Sequence, residues 1–444
     1  MAYAAHNVPR YTSYPTAPHF SEAVGAKQYG SWLDSVAPEA TISLYLHIPF
    51  CRSICHYCGC HTKAALRDQP VTEYAARLAR ELDIVLRHIG PGRRLVHLHW
   101  GGGTPNILPE GEFLELVDRI HDGFALSERL EHAIELDPRT VTPRLAALLV
   151  QAGITRVNLG VQDFNPEVQL AIGRWQPYGQ VVDAVSHLRA AGIDRIGFDL
   201  MYGLPHQGER EIVLNAARAA GLWPQRLAVF GYAHVPWMKK HQRRIDAAAL
   251  PGAVERVRQA ETIGRTLLGA GYRRIGLDHF ALPGDDLAAA ADNGRLRRNF
   301  QGYTADPADI LVGIGASAIS RLPQGYVQNA VDLGGWGRKI GSGQLPTARG
   351  RGLSPEDRLR AEIIEGLMCQ FETDLEGACR RHGLPRESLD DAEKALAPLV
   401  RDGLARSTGG KLRIPEAARP FARVVAAAFD GYLAPAADRH SAAV

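Results

Sequence analysis

The sequence predicts an α/β protein: an incomplete parallel (β/α)6 TIM-like barrel followed by a smaller, mainly helical C-terminal domain. Three observations carry this expectation. From residue 44, short β-rich apolar runs alternate with longer stretches of helical period, the pattern of βα units that build a parallel sheet. A glycine-terminated turn recurs before successive strands, as Gln151-Ala152-Gly153, Ala190-Ala191-Gly192 and Gly269-Ala270-Gly271. After Arg351 the alternation gives way to helices and one short hairpin. A chain of 444 residues accommodates one large domain and a smaller one. The expected divisions are an N-terminal segment 1–40, a barrel with an extension at 41–350, and a helical domain 351–444.

Strands are expected at 44–50, 95–100, 132–136, 156–161, 195–201 and 226–232, each a short apolar run of the kind buried on both faces of a parallel sheet. Between the first two, Val71, Tyr74, Ala75, Leu78, Leu82, Val85, Leu86 and Ile89 recur at spacings of three and four, with Gly90 at the C-cap, so a single amphipathic helix fills the gap. Several strands end in residues that structure alone does not demand: Pro49-Phe50-Cys51, Gly101-Gly102-Gly103-Thr104-Pro105, Glu135-Leu136-Asp137-Pro138, Gln162-Asp163 and Asp199. One glycine-rich strand end is equally a tight turn. Five along the C-terminal edge of a parallel sheet read as one active face. Beyond Arg351, residues 354–372 and 386–402 read as helices, 404–407 and 411–414 as a hairpin across Gly409-Gly410, and 416–433 as a further helix. The arrangement resembles a winged-helix module. It has no concentrated basic face for DNA, so a lid or scaffold is expected.

Composition narrows the function classes. Apolar residues make up 45% and charged residues 22%, as in an ordinary globular protein, and Lys+Arg 51 against Asp+Glu 48 leaves only +3. With no long basic run, nucleic acid is not an expected partner. Neither a signal-peptide pattern nor a long uninterrupted apolar stretch occurs, so the expectation is a cytoplasmic protein without a membrane span.

Six cysteines are too few for a secreted disulfide scaffold, and four fall together at Cys51, Cys55, Cys58 and Cys60. Thiolates suit an iron–sulfur cluster or zinc. Structural zinc normally takes two ligand pairs separated by a loop, and no second pair follows here, since Cys369 and Cys379 lie in the C-terminal region. Three close thiolates can instead hold three irons of a [4Fe–4S] cube and leave the fourth without a protein ligand. Cys60 then reads as a spectator.

The segment from Cys51 to Cys58, with Gly101-Gly102-Gly103-Thr104-Pro105 downstream, resembles the signature of the radical S-adenosylmethionine superfamily. Cys58-Gly59-Cys60 and Pro9-Arg10-Tyr11-Thr12-Ser13-Tyr14-Pro15-Thr16-Ala17 further resemble one family within it, the oxygen-independent coproporphyrinogen III oxidases. The likeness continues through Gly160-Val161-Gln162-Asp163-Phe164-Asn165, Tyr202-Gly203-Leu204-Pro205, Asn299-Phe300-Gln301-Gly302-Tyr303 and Gly315-Ala316-Ser317, and spans residues 9 to about 435. The resemblance implies that Cys51, Cys55 and Cys58 hold the cluster. It implies that Tyr45, Gly102, Glu135 and Ile319 contact the S-adenosylmethionine on the open iron. It further implies that Tyr57, Gly103, Thr104, Gln162, Arg174, Asp199 and Ala233 wall a neighbouring site for a second S-adenosylmethionine. Asp199 and Glu135 suit ribose hydroxyls, and Arg174 a methionyl carboxylate.

The implied reaction is oxidative decarboxylation of two propionates of coproporphyrinogen III to vinyl groups, giving protoporphyrinogen IX in haem biosynthesis through a 5′-deoxyadenosyl radical. Segment 1–40 would lie on the substrate side, with a leader before Pro9 shorter than in longer relatives. Arg10 is the leading candidate for a propionate partner, with Arg297 and Arg298 beside it. Trp175 stands where some relatives carry a polar residue. An electron donor and an electron acceptor are implied but not identified, and a monomer is expected. The alternative is a haem chaperone related to the family. Such relatives generally lack the cysteine at position 60 and the Arg10–Thr16 motif, both present here.

Overall fold

The structure is a computed structural model and describes Tyr3 and residues 6–433. The remaining residues of the expected 1–40 and 351–444 segments lie outside the described part. The chain separates into two compact units, one of Phe20–Asp199 with Asp306–Gly352, the other of Met1–His19, Leu200–Ala305 and Leu353–Val444.

The predicted succession of strands is present as β1 (Ile42–Ile48), β2 (Arg93–Gly102), β3 (Phe124–Leu136), β4 (Arg156–Gln162), β5 (Ile196–Tyr202) and β6 (Arg226–Gly231). In the first unit β1 is central, parallel to β2 on one side and to Ile310–Ile314 on the other, and β2–β3 and β3–β4 are also parallel. From Ile310–Ile314 the sheet continues antiparallel through Ile319–Leu322, Gly325–Asn329 and Thr347–Gly352. This is the α/β, partly barrel-like parallel sheet that the alternation predicts. All of β1 is buried except Tyr45, which is half-buried at the strand's centre. That explains the unbroken apolar run. β3 begins eight residues earlier than the sequence pattern indicates. Its first half pairs with Arg93–Leu95, a register shift follows between Leu95 and His97, and Ser127–Arg129 are too polar to read as a buried strand.

The helix Gln69–Ile89 carries a buried carboxylate, Glu81, that organises the loop after Ile310–Ile314. Glu81 accepts from Gly315 N (2.9 Å), Asn329 Nδ2 (2.6 Å) and Trp336 Nε1 (2.8 Å). Tyr74, two turns earlier on the same helical face, accepts from Ala316 N at 3.0 Å and donates to His47 O at 2.7 Å. Gly315 sits at φ +108°, and a Cβ there would lie 2.6 Å from both His47 O and Tyr74 Oη. Only glycine fits this close approach. Burial pushes the Glu81 carboxyl up to about 7 despite its three donors. Glu81→Ala would leave those donors buried without an acceptor and is expected to cost about 3 kcal/mol or more. Chemical denaturation measures this, and a loss below about 1 kcal/mol would contradict the anchoring role.

In the second unit β6 pairs antiparallel with His279–Ala281, which pairs antiparallel with Arg273–Ile275. A short hairpin joins Arg297–Asn299 to Gly302–Thr304. The C-terminal part is helical with a small sheet, as expected, but differs in detail. The first helix ends at Cys369 because Phe371 turns to φ +59° and Glu372–Asp374 then forms a strand. That strand joins the expected hairpin, Arg406–Thr408 and Lys411–Arg413, in a three-stranded sheet. A helix at Leu375–His382 was not anticipated. The expected helix over 416–433 is instead a 3-10 turn, Glu416–Phe421, followed by Ala422–Ala427; Pro420 has no N–H to continue a ladder.

The N-terminal motif is anchored within this unit. Val8, Tyr11 and Tyr14 pack in one core with Leu359, Ile363 and Leu367. Tyr11 Oη donates to Asp430 at 3.0 Å, and Gly431 N donates to Tyr14 Oη at 3.0 Å. Its tyrosines are core residues, and they fix where Arg10 emerges. Among the described residues no helix is long and apolar enough to cross a membrane.

Candidate functional site

β1 ends at Ile48 and the chain turns at once into the cysteine loop. Phe50–Cys51 pairs in parallel with Lys63–Ala64, Lys63 N donating to Pro49 O (2.8 Å) and Ala65 N to Cys51 O (2.9 Å). The loop is therefore closed at its base. Within it Cys58 N donates to Cys55 O at 3.2 Å, and His56 N donates to Ile172 O at 2.9 Å. Gly173, at φ +64°, leaves room for the His56 ring, which a Cβ there would meet at 2.7 Å. The strip Gly102-Gly103-Thr104 leaves β2 alongside, with Gly103 N donating to Ile48 O (2.9 Å) and Thr104 N to Phe50 O (2.8 Å). A Cβ on Gly103 would strike the Phe50 carbonyl.

This packing puts Cys51, Cys55 and Cys58 on the wall of one cavity, shared with Tyr57, Thr62, Gly102, Gly103, Thr104, Glu135, Gln162, Arg174 and Asp199. Two of the sulfurs are met by polar groups. Thr104 Oγ1 donates to Cys51 Sγ at 3.4 Å, Thr62 Oγ1 lies 3.4 Å from the same sulfur, and Arg174 Nη1 donates to Cys55 Sγ at 3.4 Å. Cys60 is exposed and borders the same cavity. Among the described residues no three His, Cys, Asp or Glu side chains converge as they would on one ion. Three thiols spread along a cavity wall suit a cluster, each iron taking one thiolate, and donors to sulfur stabilise that form. The residues present fit a [4Fe–4S] group.

Two carboxylates with different surroundings share the cavity wall. Glu135, at the end of β3, accepts from Gly102 N (3.1 Å) and pairs with His99 Nε2 (3.1 Å). Burial opposes its ionisation, but His99 and the Gly102 N–H outweigh it and hold the carboxyl below its ordinary value. Asp199, on β5, accepts from Asn158 Nδ2 at 2.7 Å. Burial and the nearby Glu135 push it up to about 7. Arg174 is buried, donating from Nε to Gln176 Oε1 (3.2 Å) and from Nη2 to Gly160 O (2.7 Å), and pairing with Asp137 at 3.3 Å. Burial acts against its charge, and Tyr57, Asp137 and Cys55 reverse that and hold it above its ordinary value. Every nitrogen of the guanidinium already donates within the protein, so Arg174 acts on a neighbouring anion chiefly as a fixed charge. Gln162 adopts φ +69°, an unusual conformation for a non-glycine residue at the very end of β4.

Tyr45 and Ile319 do not line this cavity among the described residues. Tyr45 lies behind it, stacked on His99 (5.8 Å) and hydrogen-bonded to His47 Nδ1 (3.0 Å), and His47 Nε2 meets His61 O at 3.0 Å. Ile319 opens the antiparallel strand beside Ile310–Ile314, and Gly313 has no room for a Cβ because of its backbone. Ala233 belongs to the second unit, where its carbonyl accepts from Gln242 Nε2 at 3.2 Å. The His47, His99 and Asn158 contacts were missed by sequence reasoning. Period-2 spacing offered a signal: His97 and His99 alternate along β2, and Asn158, Gly160 and Gln162 are the half-buried positions of β4.

The substrate candidates lie in the second unit. Arg10 and Arg298 line a separate cavity there, Arg10 Nη2 donating to Gly231 O (3.2 Å) and Arg298 Nε to Arg10 O (3.4 Å). Arg297, one residue along the strand, is exposed and is not among the residues that line it.

Comparison with known proteins agrees with this geometry. The radical SAM superfamily model matches residues 45–217, and the HemN C-terminal domain model matches 353–421. A Bradyrhizobium diazoefficiens protein named oxygen-independent coproporphyrinogen III oxidase is 47% identical over 444 residues, 100% of this chain and 99% of that protein. One of the same name from Paracoccus denitrificans is 46% identical, covering 98% of this chain and 96% of that one. The solved coproporphyrinogen III oxidase (HemN) of Escherichia coli, described as a radical SAM enzyme, superposes with a TM-score of 0.91 at 34% identity, covering 96% of this chain and 100% of that one. With end-to-end identity at this level, matched fold and a cysteine loop that fits the cluster, the chain belongs to the oxygen-independent coproporphyrinogen III oxidases of the radical S-adenosylmethionine superfamily.

Proposed function

We propose that the protein converts coproporphyrinogen III to protoporphyrinogen IX without oxygen, by oxidative decarboxylation of two propionates to vinyl groups. The observation that carries the reading is the single cavity in which Cys51, Cys55 and Cys58 face the Gly102–Thr104 strip, Glu135 and Asp199. When bound, a [4Fe–4S] cluster with S-adenosylmethionine supplies the 5′-deoxyadenosyl radical that takes a hydrogen from a propionate β-carbon, after which CO2 and one electron leave.

The chain's own part is binding, orientation and tuning. Cys51, Cys55 and Cys58 hold the cluster, and Thr104, Thr62 and Arg174 set the charge at its sulfurs. Carbonyls of the glycine strip accept a methionyl ammonium, and Glu135, kept ionised by His99, accepts from a ribose. Gly103, Thr104, Tyr57, Gln162, Arg174, Asp199 and Ala233 serve a second S-adenosylmethionine in this reading. What supports it is the set of polar groups, Gln162, Arg174 and Asp199, gathered on the same cavity wall. Tyr45 acts from behind, holding the His47 and His99 rings, and Ile319 borders the first cofactor from the antiparallel strand. An electron donor and acceptor complete the cycle, in a reducing cytoplasm, with the chain acting as a monomer.

Asp199 gives the second site a pH dependence. Its carboxyl is raised to about 7, so it is protonated below that value and ionised above it. The ionised form is the stronger acceptor for ribose hydroxyls. Binding of the second S-adenosylmethionine is expected to strengthen as pH rises from 6 to 8, and Asp199→Asn to flatten that rise. Calorimetric titration across this range checks both; an unchanged profile in the variant would remove Asp199 from the site. The overall reading is tested by anaerobic incubation of reconstituted protein with coproporphyrinogen III, S-adenosylmethionine and a reductant. A product lighter by two formic-acid equivalents is expected; intact substrate together with transfer of bound haem to an acceptor would favour the chaperone.

A further inference from the structure

The cavity in the second unit gathers six guanidiniums, those of Arg10, Arg256, Arg274, Arg298, Arg419 and Arg423, against the carboxylates of Glu261 and Asp278. Arg274 lies near Glu261 and Glu416 and covers the ring of Phe280 (5.3 Å), Arg419 covers that of Phe371 (4.6 Å) and Arg298 that of Tyr303 (4.4 Å). Arg10, Arg298 and Arg423 act on Asp278, which is already committed to His279 Nδ1 at 2.8 Å and to Arg298 at 3.9 Å. Arg256 Nε and Arg298 Nη1 are buried without a hydrogen-bond partner. Burial and the neighbouring Arg10 push Arg423 down to about 10 and lower Arg256 as well. A buried surplus of positive charge is costly unless an anion completes it.

We propose that Arg256 and Arg423, with Arg10 and Arg298, bind the two propionates that the tetrapyrrole retains through the reaction, not the two it loses. This rests on the function proposed above. The chemistry of decarboxylation selects between the pairs. A propionate that becomes a vinyl group gives up its carboxylate as neutral CO2, so several charge-assisted hydrogen bonds to it would stabilise the ground state more than the transition state and slow the step. Carboxylates that stay anionic throughout carry no such penalty. They are the ones that a guanidinium cluster can hold at no kinetic cost. Arg256 comes from the helix Ala253–Gly269 and Arg423 from Ala422–Ala427, so through Arg423 the C-terminal part supplies a substrate contact beyond a lid or scaffold.

The test compares substrate and product. Holoprotein without S-adenosylmethionine is dialysed to equilibrium under anaerobic conditions against coproporphyrinogen III, with four propionates, and separately against protoporphyrinogen IX, with only the retained pair. Arg256→Gln and Arg423→Gln are each expected to raise both dissociation constants by a similar factor, roughly 10- to 100-fold, the loss of one charge-assisted contact. Arg423→Lys should recover part of the loss, and unchanged cluster absorbance shows that each variant is folded. Weakening of coproporphyrinogen III alone would assign the cavity to the reacting propionates, and unchanged affinity for both would place the carboxylates elsewhere; either result overturns the inference. If the wild type converts coproporphyrinogen III in such a case, the function stands and only this assignment falls. A wild type that neither binds nor converts it defeats both.

Discussion

Cys51→Ala, Cys55→Ala and Cys58→Ala each lose the cluster, with iron and sulfide after reconstitution falling to near background and turnover abolished. Each thiol occupies its own place on the cavity wall, and the loop that carries them is closed by the Phe50–Cys51 and Lys63–Ala64 pairing, so no neighbour can slide into a vacant position. Cys60 is the control. It is exposed at the rim, beyond the turn at Cys55–Cys58, and Cys60→Ala is expected to keep its iron. Iron and sulfide analysis with the visible spectrum decides. Full iron in Cys51→Ala together with loss in Cys60→Ala would reverse the ligand assignment.

Arg174→Ala retains its iron but binds one S-adenosylmethionine fewer, with affinity at that site down by roughly 100-fold. The buried guanidinium links Cys55, Gly160 and Asp137, so its removal takes a fixed positive charge from the proposed second site and a hydrogen bond from the Cys55 sulfur. The second loss should also make the cluster harder to reduce. Arg139 still pairs with Asp137 through Nη2 at 2.6 Å, which spares the variant an unpaired buried carboxylate. Equilibrium binding with a redox titration measures both effects. Two equivalents bound with unaltered affinity in Arg174→Ala would remove this residue from the second site.

The parts of this molecule that were legible in its sequence are those set by local chemistry. β1 and β5 are nearly continuous apolar runs, buried at every position but one, and the cysteine loop and glycine strip are contiguous in the chain. β3 was half hidden because Ser127-Glu128-Arg129 interrupts its apolar pattern, and the register shift beside His97 leaves no composition signal. Leu375–His382 was hidden because a short helix rich in Arg and His resembles a loop until its apolar face has a core to meet. The site divides in the same way. Cys51, Cys55, Cys58 and Glu135 could be named from motifs, whereas Asn158 against Asp199, or His47 between Tyr45 and His61, depends on strand register. Arg256 and Arg423 lie far apart in the chain and carry no motif. Only folding brings them onto one cavity wall.

The central claim is that the protein removes a hydrogen from the β-carbon of a propionate and that the carboxylate then departs. It is tested most directly with coproporphyrinogen III deuterated at the β-carbons of its propionates, incubated anaerobically with the reconstituted protein, S-adenosylmethionine and a reductant. Mass spectrometry of the recovered 5′-deoxyadenosine is predicted to find one deuterium for each vinyl group formed, alongside protoporphyrinogen IX. Vinyl groups accompanied by unlabelled 5′-deoxyadenosine, or labelled substrate recovered intact, would contradict the account.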